Sequence, residues 1–107
     1  MRILLIDDDE KVCEACRSLL HLRKHDVTIA RDGDEALGFV SGDDAGFDLI
    51  FLDMSMPRMS GAEVFSQVRR LSPDTPIVLM SGHSVSGGIR SLLDQGADGL
   101  LEKRFRK

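Results

Sequence analysis

The sequence contains no tryptophan and no tyrosine, and only two cysteines occur among its 107 residues. Its formal net charge is −4, and no basic run interleaved with aromatic residues is present, so we expect no direct contact with nucleic acid. No apolar run approaches the ~20 residues that a membrane-spanning helix needs. The first apolar run begins almost at Met1, which leaves no room for a signal peptide. We therefore expect a cytoplasmic protein that does not contact a membrane.

The two cysteines, Cys13 and Cys16, have the spacing of a redox pair or of half a metal site. A four-ligand metal site would need a second pair of cysteines or histidines, and none follows in the sequence. Both cysteines also fall within a helical pattern of apolar residues. We interpret them as structural thiols.

Continuous apolar runs predict strands that are buried on both faces, as in a parallel sheet between two layers of helices. A chain of this length, 42% hydrophobic, forms one domain with a small core. Two weaker strand candidates are Val27 to Ala30 and Leu100-Leu101. The three strong runs are Ile3 to Ile6, Leu49 to Leu52 and Ile77 to Met80.

Helical patterns lie between these strands, so the predicted order is β-α repeated four times and then a fifth strand. Strands that alternate with helices of this length predict right-handed crossovers and an open parallel sheet. Gly96 and Gly42 fit the ends of two of the helices. The four apolar stripes are Val12, Cys16, Leu19 and Leu20; Ala36, Leu37 and Val40; Val64, Phe65, Val68 and Leu71; and Val85, Ile89, Leu92 and Leu93.

Carboxylates end two of the strong strands. Asp53 follows Leu49 to Leu52, and the acidic cluster Asp7-Asp8-Asp9-Glu10 follows Ile3 to Ile6. Ligands of open parallel sheets bind beyond the carboxyl ends of the strands. The predicted strand ends therefore bring Asp7, Asp53, Ser81 and Lys103 to one edge of the sheet.

This edge has the donor groups for phosphoryl chemistry. Carboxylates in one pocket repel each other, and because their oxygens are hard ligands they favour Mg²⁺ or Mn²⁺ over zinc. An aspartate can act as a nucleophile and carry an aspartyl phosphate. The charged oxygens of the phosphoryl group could then contact the metal, the Ser81 hydroxyl and the Lys103 ammonium. Gly82 leaves space and exposes a backbone N–H.

In combination and in this order, five stretches of the chain closely resemble the receiver domain of bacterial response regulators. The resemblance covers nearly the whole chain and implies that residues 1–107 form one receiver domain. It implies a flavodoxin-like, doubly wound five-stranded parallel sheet with strand order 2-1-3-4-5. The matching stretches are Ile3 to Asp9; Asp32 to Leu37; Asp48 to Asp53 with Met56-Pro57-x-Met59-x-Gly61; Pro76 to Gly82; and Gly96-Ala97-Asp98-Gly99 leading to Lys103.

The resemblance also implies roles for individual residues. Asp53 matches the phosphate-accepting aspartate. Mg²⁺ would be bound by Asp8 directly, by Asp7 through water, by Asp53, and by the backbone carbonyl of Ser55. Ser81 and Lys103 would contact the phosphoryl group, and Asp9 is expected to be a turn or helix-start residue.

A histidine kinase or a histidine phosphotransfer protein is the implied phosphodonor, and a downstream protein is the implied target. Such a domain is not otherwise an enzyme, because it catalyses only its own phosphorylation and slow dephosphorylation. Phosphorylation would shift a two-state equilibrium and change the surface around the fourth helix and the fifth strand.

The sequence departs from the family pattern at three points. Arg104 replaces the proline that usually follows the lysine through a cis bond, and a non-proline cis bond costs ~3–4 kcal/mol, so we expect weaker phosphate coordination by Lys103. Leu100 replaces the aromatic switch residue of the family. This replacement predicts weaker coupling between Asp53 and the surface around the fourth helix. The chain stops at Lys107, where the fifth helix of the family would follow. The absence of this helix predicts an uncovered apolar surface. Three explanations of the absence remain open: a truncated chain, a chain completed by a homodimer, or a segment of a longer regulator or hybrid kinase.

Two alternatives to a working receiver remain at this stage. A degenerate receiver would act only as an interaction module. Arg104, Leu100 and the missing fifth helix favour this alternative, whereas the intact site residues oppose it: Asp7, Asp8, Asp53, Ser81 and Lys103. A haloacid-dehalogenase-like phosphatase would use Asp7 as nucleophile and Asp9 as acid/base, since the Asp-x-Asp spacing fits. The phosphatase would leave the match around Asp53 unexplained, and the chain is short for a substrate cap.

Overall fold

The computed structural model describes residues 1–42, 46–56, 60–82 and 87–102. Each predicted strand and helix is present, with bounds that differ from prediction by a few residues. The order is β1 (Arg2–Ile6), α1 (Glu10–Leu22), β2 (Asp26–Ala30), α2 (Gly33–Ser41), β3 (Leu49–Asp53), α3 (Gly61–Leu71), β4 (Ile77–Ser81), α4 (Gly87–Asp94) and β5 (Gly99–Glu102).

The five strands form one sheet in the order β2-β1-β3-β4-β5, and all four pairings are parallel. The predicted flavodoxin-like fold and strand order are therefore confirmed. Ile6 is level with Ala30 on one side and with Leu52 on the other, while Asp53 is level with Met80. The sheet reverses its order between β1 and β3, and the carboxyl ends of these two strands lie side by side.

One face of the sheet is packed by α2, α3 and α4. Their buried residues Ala36, Val64 and Leu92 belong to a single cluster with Leu4, Leu79 and other residues of the strands. Most of the predicted stripes of these helices are buried, but Leu71 is 47% exposed. Val85 lies outside the described residues. We call this the three-helix face.

The opposite face is packed by α1 alone within the described part of the chain. Its buried cluster is small and consists of Leu5, Cys13 and Met80. The predicted stripe of α1 is wrong at Leu19, which is 58% exposed, whereas Cys13 is buried in its place. An apolar groove of about 160 Å³ runs along this single-helix face, and its lining includes Cys16, Leu19 and Leu101. This uncovered surface agrees with the expectation from sequence.

Local signals account for the helix ends. Asp9 caps the N-terminus of α1 by accepting from the backbone N–H groups of Lys11 and Val12, as expected of a helix-start residue. Gly96 has a φ of +110° just after α4, which is the conformation that favours glycine at the end of a helix. Gly42 ends α2 in an extended conformation instead. Within the described ranges, the helices lack the length and apolar character of a membrane span.

Candidate functional site

Asp7 lies immediately after β1 and is fully buried. Its backbone N–H donates to the carbonyl of Ala30 at 3.0 Å, which continues the β1–β2 pairing by one residue. Its Oδ1 accepts from the backbone N–H of Asp9 at 2.9 Å. The turn into α1 therefore holds this carboxylate inside the sheet edge, while Asp8, the next residue, is exposed.

Asp53 is the last residue of β3 and is 2% exposed. Its Oδ1 accepts from the backbone N–H of Ser55 at 2.9 Å, and Ser55 itself is exposed in the turn that follows. Met54 packs over Gly61, where a Cβ would meet its Sδ at 2.6 Å. Met54 therefore packs against the start of α3, while Asp53 lies at the carboxyl edge of the sheet.

Carboxylate oxygens of Asp7, Asp8 and Asp53 all lie within 4.8 Å of one another. Two of these carboxylates are buried, so their mutual repulsion is screened less than it would be at the surface. A bound divalent cation would offset this repulsion, and an all-oxygen donor set fits Mg²⁺. The predicted convergence of the two acidic strand ends is confirmed.

Ser81 is the last residue of β4 and is buried. Its neighbour Met80 is level with Asp53 and accepts from the backbone N–H of Met54 at 2.9 Å, so Ser81 lies at the same edge as Asp53. Gly82 is exposed, and a Cβ there would meet no atom within 4 Å. Open space next to Ser81 is what a phosphoryl group would need.

Several residues of the prediction lie outside the described part of the chain: Pro57, Met59, Val85, Lys103 and Arg104. Glu102, the last residue of β5, is level with Ser81, so the chain leaves the sheet next to Ser81 just before Lys103. The role of Lys103 and the effect of Arg104 stay predictions. Leu100 is partly buried and packs against the cluster of the three-helix face.

The carboxylate of Asp9 is already used to cap α1, which argues against its use as an acid/base partner of Asp7. Cys13 likewise has a structural contact, since its Sγ donates to the carbonyl of Asp7 at 3.3 Å. Neither cysteine forms a disulfide bond. These contacts support structural thiols and leave the phosphatase alternative without its second carboxylate.

A basic residue that was not predicted from the sequence also lies at this edge. Arg31 follows β2 directly, and its Nη1 lies 3.4 Å from Oε1 of Glu10 at the start of α1. The strand that precedes Arg31 was only a weak candidate in the sequence. Applying the same strand-end rule to β2 would have found it.

The similarity of this chain to known proteins agrees with the geometry of the acidic site. The family model described as response regulator receiver domain matches residues 3–107. Response regulator MprA of Mycobacterium avium (strain 104) is 42% identical over 106 residues, which are 98% of this chain and 45% of the relative. The chain thus spans less than half the length of this relative.

Solved structures of response regulators have the same fold. A response regulator of Burkholderia pseudomallei with a phosphorylated aspartic acid, calcium ion and citrate superposes with a TM-score of 0.87 at 27% identity, covering 98% of this chain and 61% of the other. The response regulator TrrA of Thermotoga maritima, in complex with Mg²⁺-BeF, has a TM-score of 0.81 at 33% identity and coverage of 98% and 88%.

Proposed function

This chain belongs to the response regulator receiver domain family, and we propose that Asp53 is the residue on which it accepts a phosphoryl group. The observation that carries the proposal is the convergence of Asp7, Asp8 and Asp53 within 4.8 Å at the carboxyl edge of the sheet. Two related proteins support it: one structure holds a phosphorylated aspartic acid, and another holds Mg²⁺ with the phosphoryl analogue BeF.

In the proposed step, a carboxylate oxygen of Asp53 attacks the phosphorus of a phosphohistidine. A P–O bond forms, the P–N bond breaks, and its electron pair returns to the imidazole nitrogen of the donor. The Ser55 N–H, which already donates to Asp53, orients the attacking carboxylate. The Ser81 hydroxyl and the Lys103 ammonium then contact the phosphoryl oxygens, and Gly82 leaves room for them.

Mg²⁺ would be held by Asp7, Asp8 and Asp53, together with the backbone carbonyl of Ser55. When bound, it neutralises charge on the phosphoryl oxygens. Asp7 contributes a buried carboxylate fixed by the Asp9 N–H, and Asp8 an exposed one that can adjust to the ion. The chain's own part is therefore a preformed acidic pocket and an oriented nucleophile.

The proposed donor is a histidine kinase or a histidine phosphotransfer protein in the cytoplasm, and the proposed receiver of the signal is a downstream protein. The chemistry catalysed is the domain's own phosphorylation and dephosphorylation. A homodimer through the single-helix face is a further part of the proposal. The expectation of no contact with nucleic acid is withdrawn for any longer protein, because more than half of the MprA relative lies beyond the matched region.

The test is phosphorylation by acetyl phosphate with and without Mg²⁺, measured by mass spectrometry on wild type and on Asp53→Asn. Wild type is expected to gain one phosphoryl group only when Mg²⁺ is present, and Asp53→Asn none. Asp53→Asn keeps the size of the side chain and one oxygen for the Ser55 N–H, so it serves as a matched variant.

Mapping the acyl phosphate separates the remaining possibilities. Modification at Asp7 instead of Asp53 would point to the phosphatase-like reaction. A folded wild type that takes no phosphoryl group would identify a degenerate receiver. Light scattering on the same samples distinguishes a monomer from the proposed homodimer.

A further inference from the structure

Arg31 reaches from the end of one strand to the start of the helix that follows another. It comes directly after Ala30, whose carbonyl accepts from the Asp7 N–H at 3.0 Å. Its Nη1 lies 3.4 Å from Oε1 of Glu10, the first residue of α1. The side chain therefore runs alongside the loop that carries Asp7 and Asp8.

The positive charge of Arg31 lies beside the acidic loop. The residue before Arg31 is hydrogen-bonded to the backbone of Asp7, and Glu10, two residues after Asp8, pairs with the guanidinium. A positive charge in this position also acts on anions that enter the acidic pocket.

The guanidinium end of Arg31 can change partners at little cost. The side chains of Arg31 and Glu10 are 50% and 78% exposed, and exposed ion pairs contribute little to stability. The backbone of Arg31 is fixed, because its N–H donates to Oε1 of Glu35 at 2.7 Å. Glu35 is held in turn by the cap of α2, where its N–H donates to Asp32 at 2.8 Å.

We propose that Arg31 is a binding residue for anionic phosphodonors: its guanidinium separates from Glu10 and pairs with oxygens of the incoming phosphoryl group. A pocket of three carboxylates repels such a donor, and a nearby cation lowers that repulsion. A guanidinium also matches two oxygens of a phosphoryl group at once, which an ammonium cannot do. This inference rests on the proposed function of Asp53.

The charge of Arg31 should have opposite effects on the two ligands of the pocket, the anionic phosphodonor and Mg²⁺. Removing the charge of Arg31 should weaken the reaction with an anionic donor and tighten the binding of Mg²⁺. A residue that only maintained the shape of the pocket would weaken both. Mg²⁺ binding is measured on the unphosphorylated protein by NMR titration, so this readout does not depend on phosphorylation.

The variants are Arg31→Gln, Arg31→Lys and Arg23→Gln. Arg23→Gln changes the net charge equally but lies at the other end of α1, about 20 Å away at 1.5 Å per residue. At low salt, Arg31→Gln is expected to lower the second-order rate constant for acetyl phosphate about fivefold. High salt should shrink this loss, since it screens exposed charges.

Arg31→Lys should keep most of the rate, and Arg23→Gln should match wild type. Phosphoramidate carries less net negative charge than acetyl phosphate. The rate constant for phosphoramidate should therefore fall less than that for acetyl phosphate when Arg31 is changed to Gln. Mg²⁺ should bind Arg31→Gln about two- to fivefold more tightly.

An Arg31→Gln rate equal to that of wild type would overturn the inference and leave the proposed function intact. A lower rate accompanied by weaker Mg²⁺ binding would also overturn it, because that result indicates damage to the pocket. If wild type takes no phosphoryl group at all, the proposed function fails and this inference fails with it.

Discussion

Three helices pack on one face of the sheet, whereas within the described residues α1 alone packs on the other. On the three-helix face, a single cluster of buried residues extends from β2 to α4. On the single-helix face the buried cluster has three residues, and Leu19, Leu22 and Leu101 are 58%, 76% and 42% exposed. Similar apolar sequences thus lead to a closed layer on one side and an open groove on the other.

The difference lies in coverage and not in the strands. Leu4 and Leu5 are neighbours in β1, are 0% and 1% exposed, and point to opposite faces. Leu4 belongs to the large cluster, while Leu5 lines the groove. Leu4 and Leu5 are therefore equally buried but have different surroundings. Mutation to alanine should destabilise the protein by different amounts at the two positions.

The largest expected effect is on this pair of leucines. Leu4→Ala should lower the free energy of unfolding by about 4 kcal/mol, because the closed layer leaves a cavity that cannot collapse. Leu5→Ala should cost about 2 to 3 kcal/mol, since the space it leaves opens into the groove. Urea denaturation of both variants measures the difference.

A loss at Leu5 equal to or larger than that at Leu4 would show that the single-helix face is covered in solution. Repeating the measurement over a range of protein concentrations separates coverage by a second copy from coverage within the chain, because only a dimer depends on concentration.

A smaller effect is expected where polar contacts tie the three-helix face together. Arg69 in α3 donates to the carbonyls of Thr75 and Gly96 and to Oδ2 of Asp98. The backbone N–H of Ile77, and then Arg69, lower the pKa of Asp98 from its ordinary value of 3.8. Asp98→Asn should therefore destabilise the protein by about 1 kcal/mol at neutral pH.

The sign of the pH dependence follows from the lowered pKa. The stabilisation by Asp98 is present above pH 3.8 and is lost as the pH falls through the lower pKa of the folded state. The difference between wild type and Asp98→Asn should therefore disappear in acid. Asp74→Asn, an exposed substitution in the loop between α3 and β4, is the control and should change stability by less than about 0.5 kcal/mol. A pH-independent difference would contradict this account.

The smallest effect concerns the two thiols on the single-helix face and requires no mutation. Cys16 lines the groove and is partly exposed, whereas Cys13 is 1% exposed and has a pKa of about 11. Because the thiolate is the reactive form, only about one in a thousand Cys13 thiols is reactive at pH 8.

Alkylation followed by mass spectrometry should therefore label Cys16 in the folded protein long before Cys13, with little change in stability. Equal rates at the two cysteines would mean that α1 detaches from the sheet readily. If both are slow, the groove is covered in solution, which would agree with a strong effect of Leu5→Ala.

Much of the fold could be predicted because continuous apolar runs are a strong local signal. All five strands were found, including the weak candidates Val27 to Ala30 and Leu100-Leu101, which lie within β2 and β5. The stripe of α1 was less reliable. Leu19 has the helical spacing of a core residue, but the face it points to is open, and spacing does not report what lies opposite.

The acidic part of the site was predictable for a similar reason. Asp7 and Asp53 end buried strands, and parallel strands place their carboxyl ends at one edge. Arg31 was missed because β2 was only a weak strand candidate, so the strand-end rule was not applied there. Its ion pair with Glu10 joins residues 21 positions apart in sequence. No local pattern encodes such a pair, since it depends on how β2 lies next to β1.

Short-range hydrophobic patterns were enough to predict which residues form strands and which carboxylates end them. Tertiary structure decided which layer each side chain joins, since β1 is apolar on both faces and its pattern cannot distinguish them. The apolar pattern alone also left open which residue of Asp7-Asp8-Asp9 caps the helix; the family resemblance implied Asp9, and the structure has Asp9 at the cap and Asp8 in the acidic cluster. Those assignments depend on the direction in which the chain leaves the sheet, which only the packed structure defines.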